Sequence, residues 1–483
     1  MKHRITAILL ALTLLLPLLV SCAEDKTEAP ATAADPTAEP TAAEPEETEA
    51  EEAYTPDDLG EADFGGESYV IAGLSNRTTT AVTSSEVNGE VINDAQYNAA
   101  RTVEDRFNVA ISYEDLANDD GAMSNAIKGI VSSGEENYSV TFGVDTGQIS
   151  LALSGHYHNL KAVPEFNFDQ PWWIASTDTI GVGNKSYVAS SYLSYYCLYY
   201  MRLFVINKDM ASDLGIEVPY QKVYEGNWYL DDIVAMAEIG TADIDGDGKM
   251  GPNDRYGLSY EVFYTLQSSL GVSVVSKDAD NMPVISFDVD RASLYLQKME
   301  QITDNFGYYQ TGYGANMFAD GLSLMCYCNL REVCNIIRDT DLNYGFLPAP
   351  KLDELQKDFM TVATDVYWGI PVSCVSRMPM IGTITEALSC QHFNYVRPAF
   401  FETTMKTKLS GTEDDTKMLD LIADRLSIDF GYAYNANLSG VSSIDDLVRD
   451  GVRSDTVAST YPRLQKSMNK ALEKIVTKYE ELP

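Results

Sequence analysis

Positive charge is what this sequence has least of: 34 Lys and Arg stand against 72 Asp and Glu in 483 residues, a formal charge of −38. Nucleic acids and anionic lipid faces are bound by basic side chains that displace counterions, so both are excluded as partners. Such a charge favours solubility outside the cell and association with cations. Histidine is almost as scarce. Beyond the leader only His156, His158 and His392 remain, which leaves little room for a histidine-based metal centre or catalytic triad. Cysteine is sparse as well, and a chain this long needs no disulfide staples. Cys197, Cys326, Cys328, Cys334, Cys374 and Cys390 therefore read as free buried thiols. Cys326 and Cys328 share a strand face, but without a CxxC or a His pair beside them the zinc signal is weak. No repeat with a period of 20 to 50 residues is present.

The amino end is an address. Lys2, His3 and Arg4 precede an apolar run from Ile5 to Val20, the pattern of an export signal. The run is shorter than the roughly 20 apolar residues that a membrane-spanning helix needs. It ends in Leu19-Val20-Ser21-Cys22, which resembles a bacterial lipobox, so residues 1–21 are expected to be removed and Cys22 diacylated as the membrane anchor. Residues 22–60 are almost wholly Ala, Pro, Thr, Glu and Asp, too polar to offset chain entropy by burial, and read as a disordered acidic tether. About 420 residues follow, above the roughly 250–300 at which single cores stop growing, and two lobes are expected.

One stretch, residues 227–260, organises that body. Leu230, Ile233, Val234 and Ala237 recur at helical spacing, and Asp231 and Asp232 occupy the first turn, where the helix dipole favours them. Asp243, Asp245 and Asp247 follow at alternate positions, then Gly248, and Asp254 closes a twelve-residue loop. A hard cation takes six to eight oxygens, and carboxylates at loop positions 1, 3, 5 and 12 with the backbone carbonyl at position 7, here Lys249, supply them around a glycine turn. A structural Ca²⁺ is the reading. Asp at position 12, where sensor loops carry Glu, argues against a switch.

Before this stretch, strands at Ser68–Ala72, Val109–Tyr113 and Tyr138–Phe142 alternate with helices over 92–107 and Met123–Val131, which predicts a parallel sheet. Ligands of such sheets sit beyond the carboxyl ends of strands, making Ser75, Asn76, Asp145 and Thr146 cleft candidates. Pro171-Trp172-Trp173 leads to a strand-like stretch crowded with Tyr187, Tyr192, Tyr195, Tyr196, Tyr199 and Tyr200. Aromatic faces with polar tips suit sugar rings and equally suit cores. After it, Ala292–Phe306 reads as a helix, and Leu322–Tyr327, Leu342–Leu347 and Val366–Val372 as strands, the last carrying Tyr367 and Trp368. Amphipathic helices around Met418–Ile422 and Leu464–Tyr479 close the chain.

The lipobox, the acidic linker, NKDMASDLGIEVP, NWYLDDIVAMAE running into DIDGDGKMGPNDRYGLS, YGFLPAPKLDELQKDFMT and KMLDLIADRLSIDFG, in this order, resemble the extracellular solute-binding proteins of bacterial ABC importers, specifically the carbohydrate-associated group related to maltose-binding proteins. The resemblance spans nearly all of residues 61–483. It implies an α/β, two-lobed, type II periplasmic-binding-protein-like fold with several hinge crossings. One lobe would take residues 61–192 plus 322–372, the other 193–321 plus 373–483 with the acidic loop 243–254. It further implies that Asn329, Arg331 and Trp368 line the cleft, and Trp172 and Trp173 match a PWW element of relatives. Where relatives often carry a Gly-Asp pair, this chain has Ser190-Ser191.

Together these readings describe a non-enzymatic, lipid-anchored, monomeric receptor on the outer face of the bacterial cytoplasmic membrane. It would capture a small solute, an oligosaccharide, for an ABC permease. Asp145, Trp172, Trp173, Tyr195, Tyr196, Asn329, Arg331, Tyr367 and Trp368 are the candidate ligand contacts. A secreted glycoside hydrolase, which needs two carboxylates roughly 5–10 Å apart, and a calcium-stiffened adhesion module are the alternatives.

Overall fold

The computed structural model describes residues 54–483 apart from 76–81, 175, 262, 264, 311–313, 364–365, 407–411 and 439–451. The leader, Cys22, Asn76 and the tether up to residue 53 lie outside the described residues, as does the side chain of Asp145.

The expected alternation is present. Strand β1 (Glu67–Leu74) is buried from Tyr69 onward. Helix α1 (Val91–Phe107) buries Gln96, Ala99, Ala100, Val103 and Phe107 and stops where Asn108 turns left-handed. Then come β2 (Val109–Ala117), α2 (Asp120–Ser133), whose first turn is capped by Asp119 accepting from the Ala122 N–H, β3 (Val140–Val144) and α3 (Asp145–Leu153). β1 runs parallel to both β2 and β3, as strands joined by helical crossovers must.

A second set follows: β4 (Arg202–Asn207), α4 (Leu230–Gly240), β5 (Tyr256–Tyr260), β6 (Gly307–Tyr309), β7 (Ser323–Asn329) and β8 (Tyr344–Leu347). The chain then returns as β9 (Val366–Gly369) and ends in helices α5 (Met378–Gln391), α6 (Glu413–Asp424) and α7 (Val457–Glu481). The first sheet has the order β9-β3-β1-β2 and the second β8-β4-β7-β5-β6. β9 is antiparallel to β3, and β4 is antiparallel to β7 and β8, while β5 is parallel to β6 and β7. The fold is therefore mixed α/β, with two larger sheets between which the chain passes repeatedly and two small two-stranded ones among the described residues.

Three expectations differ from what is seen. β7 and β8 belong to the second sheet, not to the lobe expected for 322–372; all seven residues of β7 are buried, and such a strand needs a neighbour on each edge, which β4 and β5 provide. Only β9 from that segment joins the first sheet, and α5 packs on α1 beside it. Second, the folded body begins at Tyr54. Thr55 N–H donates to Asn394 Oδ1 at 2.8 Å, Asp57 pairs with Arg106 at 2.7 Å, and Asp58 accepts from Asn167 at 2.9 Å, so residues 54–60 are fastened rather than tethering. Third, the tyrosine-rich stretch is not a strand. It contains a helical turn, Tyr196–Tyr199, in which Tyr196 and Tyr199 stack at 5.4 Å. The six cysteines among the described residues are free and buried, as expected.

Helix α4 lies directly on β5 because two glycines let it. A Cβ on Gly257 would fall 2.0 Å from the Ala237 carbonyl oxygen, and one on Gly240 2.9 Å from the Gly257 Cα. Both obstacles are backbone and cannot rotate away. Gly257→Ala is expected to cost about 3 kcal/mol or more, read as a lowered urea midpoint; a loss under about 1 kcal/mol would show that the contact yields.

Candidate ligand site

In open α/β sheets the groups that meet a ligand lie past the carboxyl ends of parallel strands. β3 ends at Val144, opposite the first residue of β9, Val366. β5, β6 and β7 end at Tyr260, Tyr309 and Asn329, and Asn329 faces the first residue of β4, Arg202. Met201 joins the two edges: it pairs with Ala363, just ahead of β9, and its carbonyl accepts the Leu330 N–H at 3.1 Å. The carboxyl edge of each sheet thus opens onto one junction.

At that junction the second sheet gathers aromatic rings, with Tyr309 exposed and Tyr260 and Tyr327 buried behind it. Tyr260 stacks on Phe263 with ring centroids 4.1 Å apart, Phe263 lies 5.8 Å from Tyr327, and Tyr309, 55 % exposed, stands 5.9 Å from Tyr260. The Arg202 guanidinium sits 5.9 Å from the Tyr327 centroid. Beside it Glu332 is enclosed; burial pushes its carboxyl upward, and the Arg202 charge opposes this. The strand-end rule applied to residues 256–260 would have found Tyr260 in the sequence. Tyr309 is reached only by knowing that a three-residue strand lies beside β5.

The expected residues divide. Asn329 and Arg331 are at the junction, the former capping the short helix Leu330–Glu332 by accepting the Glu332 N–H at 3.0 Å. Arg331 is half-buried. Tyr195 and Tyr196 are close by, Tyr195 stacking on Phe400 at 5.2 Å. Asp145 opens α3 directly after β3, at the edge where topology placed it. Ser75 is tied to the Ala117 carbonyl at 3.2 Å and to Asn118.

The tryptophans do something else. Trp172 and Trp368 are fully enclosed and Trp173 nearly so, and Tyr367 is 1 % exposed, so in this conformation none has surface to offer a solute. Trp172 and Trp173 each donate their indole N–H to one oxygen of Glu386 at 2.9 Å. Trp368 donates to Ser191 Oγ at 3.2 Å and lies 5.8 Å from Trp173. They fasten the segment that carries the chain from the first sheet to the second.

The acidic loop has the shape its sequence requires. Asp243, Asp245 and Asp247 are exposed and each offers an oxygen within 4.8 Å of the others. Gly246 and Gly248 adopt positive φ, 74° and 80°. Asp243 accepts from the Gly246 and Gly248 N–H groups at 2.7 and 2.8 Å, and Asp247 accepts from Lys249 at 2.8 Å. Asp254 is enclosed and faces the backbone: it accepts from Ile244 at 2.9 Å, Gly251 at 2.7 Å and Asp245 at 3.4 Å. Enclosure raises its carboxyl, yet these donors prevail and hold it below the usual range. The residues present fit a hard cation, with three convergent carboxylates on a turn already held open by Asp254.

Burial pushes the Glu386 carboxyl up to about 8, against the two indole donors and the Asn167 N–H, which pull it down. A carboxyl higher in the folded than in the unfolded chain keeps a proton that the unfolded chain has lost. Its contribution to stability is thus complete below about pH 4.5, the ordinary glutamate value, and disappears as pH rises to about 8. This group alone gives a falling slope approaching 1.4 kcal/mol per pH unit. Denaturant titrations from pH 5 to 8 should show that slope, and Glu386→Gln should flatten it; an unchanged slope in the variant would assign it to other groups.

No protein-family model and no curated protein matches the sequence. Solved structures do. An uncharacterised protein of Listeria monocytogenes is 12 % identical with a TM-score of 0.55, covering 84 % of this chain and 100 % of its own. A sugar transporter protein of Rhizobium etli in an open conformation is 13 % identical with a TM-score of 0.51, covering 86 % and 100 %. UgpB of Mycobacterium tuberculosis, in complex with glycerophosphocholine, is 14 % identical with a TM-score of 0.50, covering 85 % and 99 %. The chain has the periplasmic-binding-protein-like α/β fold of these structures.

Proposed function

We propose that this chain is a receptor that captures an extracellular solute, an oligosaccharide, where the carboxyl edges of its two sheets face one junction, and delivers it to an ABC importer. The observation that carries the reading is the aromatic ledge Tyr260–Phe263–Tyr309 at the ends of β5 and β6, beside Asn329 and Arg331. Flat rings supply apolar area against the C–H faces of a sugar, and amide and guanidinium groups orient hydroxyls. The fold relatives support it, one described as a sugar transporter protein and another holding glycerophosphocholine. No bond need be made or broken. A solute touching both edges favours the closed form by as much as it binds that form better, and closure is the signal to the permease. Lipidation of Cys22 would keep this receptor at the outer face of the cytoplasmic membrane, on the tether that ends at Tyr54, as a monomer.

Calcium belongs to the same proposal as a brace. Asp243, Asp245 and Asp247, with the Lys249 carbonyl, would hold it, while Asp254, whose oxygens accept from the Ile244, Asp245 and Gly251 N–H groups, holds the loop's shape instead of the ion. The loop precedes β5, whose other end carries Tyr260, so ion and solute stand about 17 Å apart along a five-residue strand.

Isothermal titration against a panel of neutral and acidic oligosaccharides should give saturable heat, weakened about tenfold or more by Tyr309→Ala. Heat with peptides or amino acids and with no sugar would end the carbohydrate reading. Chelation by EDTA should lower the melting temperature while leaving solute affinity nearly unchanged, since binding to the folded state alone stabilises by mass action. An unchanged melting temperature would remove the ion.

A further inference from the structure

The carboxyl of Glu386 is wholly enclosed, 0 % exposed, on helix α5. Its two oxygens each receive one indole N–H from adjacent residues, Trp172 and Trp173. That turn is bonded in its own right to the segment leaving the first sheet: the Tyr192 N–H donates to the Trp172 carbonyl at 3.0 Å, and Trp173 pairs with Ser191. Ala189 in turn exchanges N–H and carbonyl bonds with Trp368 of β9, 2.9 Å each way. Just past α5, His392 Nδ1 lies 3.1 Å from the carbonyls of both Tyr192 and Leu193. One helix therefore grips residues 191–193 at two points, by a carboxyl through two tryptophans and by an imidazole directly.

We infer that Glu386 is a proton-linked latch on this crossing: neutral, it seats the Trp172-Trp173 turn and holds residues 189–193 against Trp368; ionised, it loosens the turn and frees the crossing to open. Ionisation delivers the proton to bulk water and leaves a negative charge in an enclosed site. The groups that face it from its surroundings are the two indoles, the Asn167 N–H and Asp58, whose own charge disfavours a second one. Glu165 lies against the same helix one turn earlier, where a Cβ on Gly382 would meet its Oε2 at 2.7 Å. From β1 the Tyr69 hydroxyl bonds Thr385. These neighbours bring acids and neutral donors to the carboxyl, so relief of the charge requires water, which only movement of the turn admits. His392 stays neutral through the same range, because burial lowers it to about 4.

The inference rests on the hinged-receptor reading only for its consequence, and the test needs no solute. The whole chain is titrated from pH 5.5 to 9 by tryptophan emission, with small-angle scattering at each point. An emission change centred near pH 8 is expected, accompanied by a larger radius of gyration over the same interval. Glu386→Gln should abolish both, and Trp173→Phe, which deletes one of the bonds that seat the turn and keeps a ring, should move the midpoint downward. Should Glu386→Gln fail to fold, the direction of the Trp173→Phe shift decides. A transition that survives in Glu386→Gln, an emission change at constant radius, or no transition in the unaltered protein overturns the latch. Failure of the sugar titrations leaves these results untouched.

Discussion

The segment from Ala189 to Leu193 has to leave one sheet for the other without stranding its backbone polar groups, and the way it does so shapes much of the molecule. Buried amides and carbonyls need partners. Here they come from Trp368 in β9, from the Trp172 turn and from the ring of His392. Since these partners lie on β9, on the turn and just past α5, the three are held in mutual register by a stretch that is itself not regular structure. The three large rings are enclosed because they form the walls of that fastening, and Glu386 is enclosed because it ties two of the rings to a helix.

This arrangement explains a division among aromatic residues that composition alone does not show. Indoles with N–H groups aimed at Glu386 and Ser191 are committed twice, by packing and by hydrogen bonding. Phe263 stacks on Tyr260 and on Tyr327, and Tyr309 lies tilted against Tyr260. A ring with an open face and a rigid neighbour can accept a second stacking partner at little entropic cost, whereas a doubly committed ring must first be unmade. The second sheet's carboxyl edge is thus the better platform, although the tryptophans drew the eye first.

What the sequence revealed follows the range of the interactions involved. Strand–helix alternation, α4, the acidic loop and the closing amphipathic helices are local patterns, and each appears within a few residues of its expected place. The lipobox and tether readings lie outside the described residues. The misplacement of β7 and β8 was of another kind: SLMCYCN announces a strand buried on both faces but not which sheet it enters. Residues 54–60 share the tether's composition and are fixed by partners 47 to 339 positions away. The indoles of Trp172 and Trp173 find a carboxylate more than 200 residues on. A tryptophan pair followed by many tyrosines carries no mark of that, because the same rings serve a core or a sugar equally well.

The proposed closure would ask each half to be stiff, and β5 is built to be held along its length. Its amino end receives the acidic loop, its middle is pressed to α4 at Gly257, and its carboxyl end carries Tyr260. At the far end of α4, Asp231 and Asp232 pair with Lys298 and Lys222, tying the helix to its neighbours through a turn whose dipole already favours acids. A cation bound by Asp243, Asp245 and Asp247 would remove the mutual repulsion of three carboxylates at the point where β5 begins, and so hold the strand's register where Tyr260 needs it. On that proposal two tasks would be separated along one strand, with stiffness at the loop and contact at the opposite end.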